Sequence, residues 1–323
     1  MNPNRQPLVS VIMSVYNEEI VWLRQSIESI LNQSYTNLEF IIILDNPGNN
    51  ILHDVIKDYC KNDDRIIYFK NEKNIGLVKS LNASLSHAQG EFIARMDADD
   101  ISLPDRIAKQ LNYLNCHPHV DFVGARCINI DEEGAFLYRD AMMPEDMKLI
   151  ESCLTNVDFI NHPTWLFKKE CSDKNEGYRE ITCAEDYDFL LRLITNGFVL
   201  ASTNEFLVKY RIRKSGISKS NSLQQLLYSK QVVKMYNDRL KYGFEKQSVE
   251  DLKDIKIPVN EERKYSLALE TLTKSKNYKK KNEVHRIHLI LKSYVSSKYL
   301  RILLTDITYY KFKKLLHLKT SRD

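Results

Sequence analysis

The first half of the chain alternates between two hydrophobic patterns, one typical of buried strands and the other of amphipathic helices. Continuous apolar runs predict strands over residues 8–16, 38–44, 65–69 and 91–96. Between these runs, apolar residues recur at intervals of three and four positions and predict helices over residues 18–33, 49–60 and 76–89. Strands and helices that alternate through short connections are typical of a mainly parallel sheet.

The second half is less regular and ends in a long helical region. Its pattern predicts a helix over 104–115, two strands joined by a turn within 121–139, a helix over 184–197 and a strand over 206–213. From about residue 219 the pattern is helical, basic and rich in tyrosine. We therefore predict an α/β domain over residues 1–215 and a basic helical region over 216–323.

The composition is typical of a globular protein. Of the 323 residues, 43% are hydrophobic and 28% are charged, as in soluble domains. The longest apolar runs have the length of a strand, and the first ten residues lack the apolar core of a signal peptide. The six cysteines form no CxxC pair. We therefore expect a cytoplasmic protein with free thiols and no zinc site.

The net charge of +4 combines an acidic body with a basic tail. Residues 204–323 hold 28 Lys and Arg against 12 Asp and Glu, whereas the residues before them are net acidic. A basic segment seeks phosphate, either in nucleic acid or at an anionic membrane surface. The tail also carries an apolar stripe at helical spacing, formed by Val284, Ile287, Leu291, Tyr294, Val295 and Leu303. This stripe favours a membrane surface over nucleic acid, although packing against the rest of the protein remains equally open.

Polar and acidic residues follow three of the predicted strands. Asn17, Asp45 and the segment 97–100 come directly after the first, second and fourth strands. Ligands bind beside the carboxyl ends of parallel strands, so these positions predict a site. The three aspartates Asp97, Asp99 and Asp100 would repel one another, and a hard divalent cation such as Mg²⁺ or Mn²⁺ would relieve that repulsion. The alternative is a solvated acidic turn before the helix at 104–115.

A second acidic pair lies further along the chain. Glu185 and Asp186 open the helix predicted over 184–197, where the helix dipole stabilises carboxylates. They are either ordinary helix-terminal acids or part of a site.

Five motifs in a fixed order resemble the family 2 glycosyltransferases, which are inverting enzymes with the GT-A fold. They are VSVIMSVYNEE, NLEFIIILDNP, NIGLVKSLNASLSHAQGEFIARMDADDISLPDRI, NHPTWLFKK and GYREITCAEDYDFLLRL, within about residues 7 to 215. The resemblance implies a Rossmann-like sheet flanked by helices. It also implies a nucleotide-diphosphate sugar donor, usually UDP-linked, a divalent metal and an acceptor hydroxyl.

The resemblance also assigns roles to individual residues. Asp186 matches the catalytic base, Asp99 and Asp97 match the metal-binding DxD motif, and Asp97 would also face the ribose or donor sugar. Asp45 matches the acid that accepts a hydrogen bond from uracil. His162 and Glu185 fall at the acceptor site. The remaining positions implied in nucleotide-sugar binding are Tyr16, Asn17, Glu18, Lys79, Arg95, Arg211 and Arg213.

The sequence departs from the family pattern at two places. After the second strand, Leu44 replaces an acid, and Asn46 and Pro47 replace a Gly-Ser pair. In YRIRKSGIS, Arg213 stands where the family often has histidine. Arginine can pair with a diphosphate but has no lone pair for a metal, so strict metal dependence is an open question.

The sequence as a whole predicts a hexosyltransferase of bacterial surface polysaccharide (O-antigen or capsule) synthesis. It would be peripheral at the inner face of the membrane, acting on a glycan or an undecaprenyl-diphosphate-linked sugar, with no nucleic-acid partner. The donor sugar stays open. A sugar-nucleotide pyrophosphorylase is a rival interpretation, but its glycine-rich phosphate loop has no counterpart, because no glycine precedes Gly48. The other rival is a non-catalytic protein that binds nucleic acid through its tail.

Overall fold

The computed structural model describes residues 6–213, 222–253, 255, 257–276 and 283–320. Its chain divides into two compact units. The first consists of Met1–Glu151, Asp158–Glu180 and Phe189–Lys214. The second consists of Ser152–Val157, Ile181–Asp188 and Ser215–Asp323. The division into domains at residue 215 stays a prediction.

The first unit contains one mixed sheet. Its strands are β1 Val9–Val15, β2 Leu38–Leu44, β3 Ile66–Lys70, β4 Phe92–Arg95, β5 Ile101–Ser102, β6 Phe122–Ile130, β7 Phe136–Arg139, β8 Leu166–Lys168 and β9 Leu200–Arg211. Their order is β3-β2-β1-β4-β8-β6-β9-β5, with β7 beside β6. The strands from β3 to β4 are parallel, whereas β8 joins β4 and β6 in antiparallel fashion. β6 and β9 also pair in parallel. The expectation of a mainly parallel sheet therefore holds for the strands from β3 to β4 and for the pair of β6 with β9.

Helices flank the sheet and make up most of the C-terminal region. Before residue 200 the helices are α1 Ile20–Leu31, α2 Asn50–Asn62, α3 Leu77–His87, α4 Arg106–Cys116, α5 Met147–Leu154, α6 Lys169–Lys174 and α7 Glu185–Thr195. After residue 221 they are α8 Ser222–Tyr242, α9 Val249–Leu252, α10 Val259–Lys276, α11 Glu283–Ser296 and α12 Lys298–Thr320. No helix of the described segments is at once long enough and apolar enough to cross a bilayer.

The central strands explain why the apolar runs are continuous. Every residue of β2 is buried, and six of the seven residues of β1 are buried. Both faces of these strands are covered, so they read as unbroken hydrophobic segments rather than alternating ones. The second unit has its own small core, formed by Leu223, Leu226, Tyr265, Ala268 and Leu300.

The strand order creates a crevice beside β1. From β1 the chain runs outward to β2 and β3, and then returns to β4 on the opposite side of β1. Consequently the connections that follow β1 and β4 begin side by side and lead toward opposite edges of the sheet, the arrangement that forms a ligand crevice in α/β sheets. Ile12 of β1 pairs with Arg95, the last residue of β4. The polar residues that follow these two strands are therefore neighbours.

Candidate active site

Three carboxylates, from Glu18, Asp97 and Asp99, form what we call the acidic cluster, in the loops after β1 and β4. Burial raises the pKa of Glu18, and the charge of Asp97 raises it further. Burial also raises the pKa of Asp99 to about 6, with additional contributions from the charges of Asp97 and Glu18. Carboxylates that raise one another's pKa repel each other at short range. A cation placed among them would be stabilised.

Two arginines contact the acidic cluster. Arg95, whose side chain is 1% exposed, places Nη2 2.5 Å from Oδ1 of Asp97. Arg213 places Nε 2.9 Å from Oδ2 of Asp99. The Nε and Nη1 groups of Arg95 are buried, and neither has a hydrogen-bond partner within the described part of the chain. The structure therefore brings together two of the arginines and three of the acids that the sequence predicts for the site.

Asp100 is not part of the acidic cluster. It is buried, and its Oδ1 accepts a hydrogen bond of 2.7 Å from the backbone N–H of Arg211. Burial, and then the charges of Asp99 and Asp97, raise its pKa well above the usual value for a carboxyl group. Asp100 thus joins the loop after β4 to the end of β9, which is a structural role.

The guanidinium of Arg211 is engaged mainly by backbone carbonyls. It donates to the carbonyl oxygens of Asp99, Asp131 and Glu132, at 2.8, 3.1 and 3.0 Å, and to Oε1 of Gln25 at 2.8 Å. Because an arginine has five N–H groups, these four bonds leave Arg211 little capacity for a phosphate. Arg211 holds the loops around the site together, and its predicted contact with the donor stays a prediction.

Asp45 organises the loop that precedes α3. Its Oδ1 accepts from the side-chain amide of Asn71 at 2.7 Å and from the backbone N–H of Ile75 at 2.9 Å. Its Oδ2 accepts from the backbone N–H of Gly76 at 2.8 Å. A carboxylate has about four acceptor sites. Three of these sites are used and Asp45 is only 3% exposed, so its predicted contact with the N3–H of a uracil stays a prediction.

The loop after β2, where the sequence departs from the family pattern, is tied to the loop after β1. Nδ2 of Asn46 donates to Oδ1 of Asn17 at 2.5 Å. Next to Asn17, the backbone N–H of Tyr16 donates to Oε2 of Glu18 at 2.7 Å, while the Tyr16 side chain is 45% exposed. Asn46 thus couples the altered loop to the segment predicted to contact the nucleotide, with Tyr16 open to solvent.

Two predicted site residues have partners of their own. Lys79 is exposed and lies 3.2 Å from Oε2 of Glu180. His162 is buried, with its Nε2 2.8 Å from the hydroxyl of Tyr178 and its ring 4.4 Å from that of Trp165. Burial, and then the charge of Arg95, lowers the pKa of His162 well below its usual value. The histidine is therefore neutral, and its predicted role at the acceptor site stays a prediction.

Glu185 and Asp186 form the first turn of α7, as predicted. Both are partly buried, and Oδ1 of Asp186 accepts from the backbone N–H of Tyr187 at 2.7 Å. Just before the helix, Cys183 has a φ angle of 58°, which is uncommon for a residue with a side chain. Strained backbone of this kind is enriched at functional sites. The predicted role of Asp186 as the base stays a prediction.

The acidic cluster fits a divalent metal of one particular kind. Within the described ranges, no three His, Cys, Asp or Glu side chains are placed to hold a metal ion together. Mg²⁺ and similar ions are bound mainly by one or two carboxylates together with substrate phosphates. Asp97 and Asp99 supply two such carboxylates, and repulsion from Glu18 favours a bound cation. A nucleotide diphosphate would have to supply further ligands.

The chain belongs to the glycosyl transferase family 2, whose family model matches residues 10–175. An uncharacterized glycosyltransferase of Methanocaldococcus jannaschii is 37% identical over 231 residues, which cover 72% of this chain and 80% of that protein. The amylovoran biosynthesis glycosyltransferase AmsE of Erwinia amylovora is 31% identical, with 72% and 86% covered. The O-antigen biosynthesis glycosyltransferase WbnJ of Escherichia coli is 33% identical, with 66% and 83% covered. The protein is therefore a glycosyltransferase, and the pyrophosphorylase interpretation is set aside.

Similar solved structures confirm the GT-A fold. S. aureus TarS in complex with UDP-GlcNAc matches with a TM-score of 0.57 and 15% identity, covering 97% of this chain and 92% of that one. The mannosyltransferase PcManGT from Pyrobaculum calidifontis, in complex with GDP-Man and Mn²⁺, matches with a TM-score of 0.58 and 15% identity, covering 97% and 89%. At this identity the likeness shows the fold alone.

Two residues next to the cluster were missed in the sequence. The ring of Trp22 lies 5.3 Å from the guanidinium carbon of Arg211 and 6.0 Å from that of Arg213. Its Nε1 donates to the carbonyl of Glu132 at 3.0 Å, which fixes the ring. Gln25, which binds Arg211, lies one helical turn further along α1. The only signal in the sequence was a tryptophan in the helix that follows the YNEE loop.

Proposed function

We propose that the protein is an inverting glycosyltransferase that moves a hexose from a nucleotide-diphosphate donor, with UDP as its nucleotide, to a hydroxyl of a glycan acceptor. One observation carries this proposal. The acidic cluster and Arg213 meet at the carboxyl ends of β1 and β4, in the crevice that the strand order creates. This is where α/β sheets bind nucleotides, and the charges present suit a metal-bound diphosphate.

On the donor side, the residues of this chain hold the diphosphate and offset its charge. Asp97 and Asp99 would hold Mn²⁺ or Mg²⁺, which acts when bound as a Lewis acid on the leaving diphosphate. Arg213 lies beside the same carboxylates and supplies a second positive charge. Asp45 accepts from the base, and the tie between Asn46 and Asn17 orders the loops around the nucleotide.

On the acceptor side, one base is sufficient for inversion. Asp186 takes the proton of the acceptor hydroxyl while the oxygen of that hydroxyl attacks the anomeric carbon. The bond between the anomeric carbon and the diphosphate breaks in the same displacement. The electron pair of that bond leaves with the nucleoside diphosphate. Glu185 and His162 would help to position the acceptor.

The relatives support a place in polysaccharide synthesis. AmsE and WbnJ are named for the biosynthesis of amylovoran and of O-antigen. We therefore propose an acceptor of the same kind, namely a growing glycan carried on a lipid diphosphate such as undecaprenyl diphosphate, at the cytoplasmic face of the membrane.

The experiment that tests the proposed function is a donor-hydrolysis screen. The purified protein is incubated with Mn²⁺ and with UDP-glucose, UDP-galactose, UDP-N-acetylhexosamines or GDP-mannose, and the released nucleoside diphosphate is measured. GDP-mannose is included because PcManGT was solved with it. Slow release from one UDP-sugar is expected. Release from GDP-mannose alone would contradict the UDP assignment, and release from none would contradict the proposed function.

Replacing Asp45 by Ala is expected to weaken UDP binding by about 1.5–3 kcal/mol, the range for a charge-assisted hydrogen bond. The reason is the loss of the acceptor for the uracil N3–H. Isothermal titration calorimetry of UDP in the presence of Mn²⁺ measures the change.

The control for this variant is Asn71→Ala. It removes one of the hydrogen bonds that Asp45 accepts from its own loop, yet it keeps the carboxylate. We expect Asn71→Ala to weaken UDP binding far less than Asp45→Ala. Equal losses in the two variants would show that Asp45 acts by ordering the loop and does not contact the base.

The C-terminal helices carry an exposed apolar stripe. On α11, four of the predicted stripe residues are exposed, with Leu291 58% and Val295 73% exposed; the other two are Ile287 and Tyr294. The side chain of Val284, also predicted for the stripe, lies outside the described residues. Exposed apolar residues beside lysines are typical of helices that lie on an anionic membrane. Leu303, the remaining stripe residue, is partly buried and packs against the core of the second unit. The exposed residues of α11 favour membrane docking, whereas Leu303 follows the packed alternative.

Two basic residues of the tail serve the fold instead of a membrane. Nζ of Lys313 donates to the carbonyl of Ser152 at 2.6 Å and to Oδ1 of Asn156 at 2.7 Å. Arg301 donates to the backbone carbonyls of Tyr294 and Val295, at 3.2 and 3.1 Å, near the end of α11. A test of docking must therefore leave these two residues unchanged.

Changing three exposed lysines to glutamine is expected to release the protein from anionic vesicles. The residues are Lys292, Lys298 and Lys311. Each contributes about 1 kcal/mol at an anionic surface, so the affinity for vesicles of phosphatidylglycerol and phosphatidylcholine should fall about 100-fold. Co-sedimentation at low salt measures the loss, and donor hydrolysis should be unchanged.

The matched control removes three exposed lysines from the first unit, namely Lys57, Lys61 and Lys70. If this control variant leaves the vesicles to the same extent, the effect is one of net charge and the tail is not the docking surface. If the wild-type protein does not bind vesicles but retards the migration of RNA in a gel, the nucleic-acid interpretation of the tail is correct.

A further inference from the structure

Arg213 contacts one of the two carboxylate oxygens of Asp99, the residue proposed to bind the metal. Its Nε lies 2.9 Å from Oδ2 of Asp99, and the two side chains are only 26% and 13% exposed. A pair that is partly withdrawn from water is screened less than a surface salt bridge. A cation that binds Asp99 must therefore displace Arg213 or share the carboxylate with it.

Arginine and histidine act in opposite ways at such a position. A neutral histidine offers a lone pair and can join a metal's ligands, whereas a guanidinium offers only N–H donors. Arg213 places a positive charge next to the carboxylate of Asp99 and contributes no metal ligand. Its presence would therefore lower the affinity for a divalent cation that arrives without a diphosphate.

The charges around the acidic cluster are nearly balanced while no ligand is present. Three carboxylates, from Glu18, Asp97 and Asp99, face the two guanidinium groups of Arg95 and Arg213, which leaves one negative charge. A divalent cation added to this set would bring an excess of positive charge. A diphosphate that arrives with the cation cancels that excess, and it offers Arg213 new oxygen acceptors.

Arg213 also lies beside an aromatic ring. Its guanidinium carbon lies 6.0 Å from the ring of Trp22, at the outer limit of a cation–π contact. The ring is held in place by the hydrogen bond from Nε1 to the carbonyl of Glu132. The aromatic face therefore offers the guanidinium of Arg213 a contact that does not depend on Asp99.

We propose that Arg213 and the divalent metal compete for the carboxylate of Asp99, so that the metal binds tightly only together with the donor diphosphate, to which Arg213 then transfers. This inference rests on the proposed function and adds an order of binding to it. Free metal would not fill the site in advance, and the nucleotide and the metal would stabilise each other's binding.

The test measures Mn²⁺ binding directly, by the electron paramagnetic resonance signal of free Mn²⁺, in wild type and Arg213→Gln. Without nucleotide, Arg213→Gln is expected to bind Mn²⁺ about tenfold more tightly than wild type, because a charge-assisted competitor has been removed. With saturating UDP the advantage should vanish or reverse, because wild type then gains the contact between Arg213 and the diphosphate.

The matched control is Arg24→Gln, which removes one positive charge from α1 at an exposed position whose guanidinium carbon lies 5.7 Å from the Tyr59 ring. Its Mn²⁺ affinity should stay at the wild-type level. An equal gain in Arg24→Gln and Arg213→Gln would overturn the inference, since the effect would then be one of net charge. No gain in Arg213→Gln without UDP would also overturn it.

A second variant, Arg213→Lys, guards against misfolding of Arg213→Gln. It keeps a positive charge, so its Mn²⁺ affinity without UDP should lie nearer to wild type. If Arg213→Gln is folded, with a wild-type melting temperature, and Arg213→Lys binds Mn²⁺ as tightly as Arg213→Gln does, the proposed competition is contradicted. Calorimetry with UDP distinguishes failure of the proposed competition from failure of the proposed function. Normal UDP binding with no effect of residue 213 on Mn²⁺ refutes the competition alone, whereas failure of wild type to bind UDP refutes the proposed function as well.

Discussion

Replacing Asp186 by Asn is expected to lower kcat by about 10²–10⁴-fold, the usual contribution of a general base. The amide has nearly the shape and volume of the carboxylate, so the first turn of α7 should form as before. It cannot take a proton from the acceptor hydroxyl. Donor affinity should stay close to that of wild type, because the base acts on the acceptor. Initial rates at saturating donor, with calorimetry of UDP, measure both quantities.

The neighbouring residue provides the control for this prediction. Glu185→Gln makes the same chemical change one position earlier in the same helical turn, and it should affect the KM for the acceptor more than kcat. A variant Asp186→Asn that transfers sugar at the wild-type rate would refute the assignment. A loss of kcat in Glu185→Gln as large as that expected for Asp186→Asn would move the role of base to Glu185.

The placement of the site could be predicted from the sequence because β1, β2 and β4 are buried strands. Their apolar runs end where the polar loops begin, so Asp45, Asp97 and Asp99 could be assigned to the carboxyl edge before the sheet was known. The pairing register of the strands, which the sequence does not reveal, shows which loops are neighbours. The pairing of Ile12 with Arg95 shows that the loops after β1 and β4 are neighbours, although about 80 residues separate the strands.

Short and polar elements could not be predicted, for a physical reason. β8 has three residues and β5 has two, which is too few for a hydrophobic period to show. β9 begins at Leu200, six residues earlier than predicted, because its polar first half is held by pairing with β6. Such strands owe their structure to their neighbours and not to their own pattern.

The interaction partners of the charged residues also could not be predicted from the sequence. In the sequence, Arg211 and Arg213 both suit a diphosphate. The structure separates them, since Arg211 is engaged by backbone carbonyls and Arg213 by a carboxylate. In the tail, Lys313 resembles the other lysines until its bonds to Ser152 and Asn156 are seen. Charge patterns predict what a region attracts, but only the fold decides which of its charges are available.

Replacing Asp99 by Ala is expected to lower Mn²⁺-supported sugar transfer by about 10²–10³-fold, because Lewis-acid stabilisation of a leaving group contributes several kcal/mol. The variant removes a direct ligand of the proposed metal and also the carboxylate that holds Arg213. The fold should remain intact, since Asp99 lies in the loop after β4 and outside the hydrophobic core. Transfer assays across a Mn²⁺ titration, with circular dichroism of the same samples, measure both effects.

The control for this prediction is the neighbouring aspartate. Asp100→Asn affects the hydrogen bond to the backbone of Arg211 and lies outside the acidic cluster, so it should lower the melting temperature more than it lowers the response to Mn²⁺. The opposite pattern, with Asp100 controlling the metal response and Asp99 the stability, would show that the ligands have been assigned in the wrong order. Full activity of the wild type after treatment with EDTA would refute metal dependence altogether. In that case Arg213 and Arg95, the two arginines that contact the acidic cluster, would have to offset the charge of the leaving diphosphate without a cation.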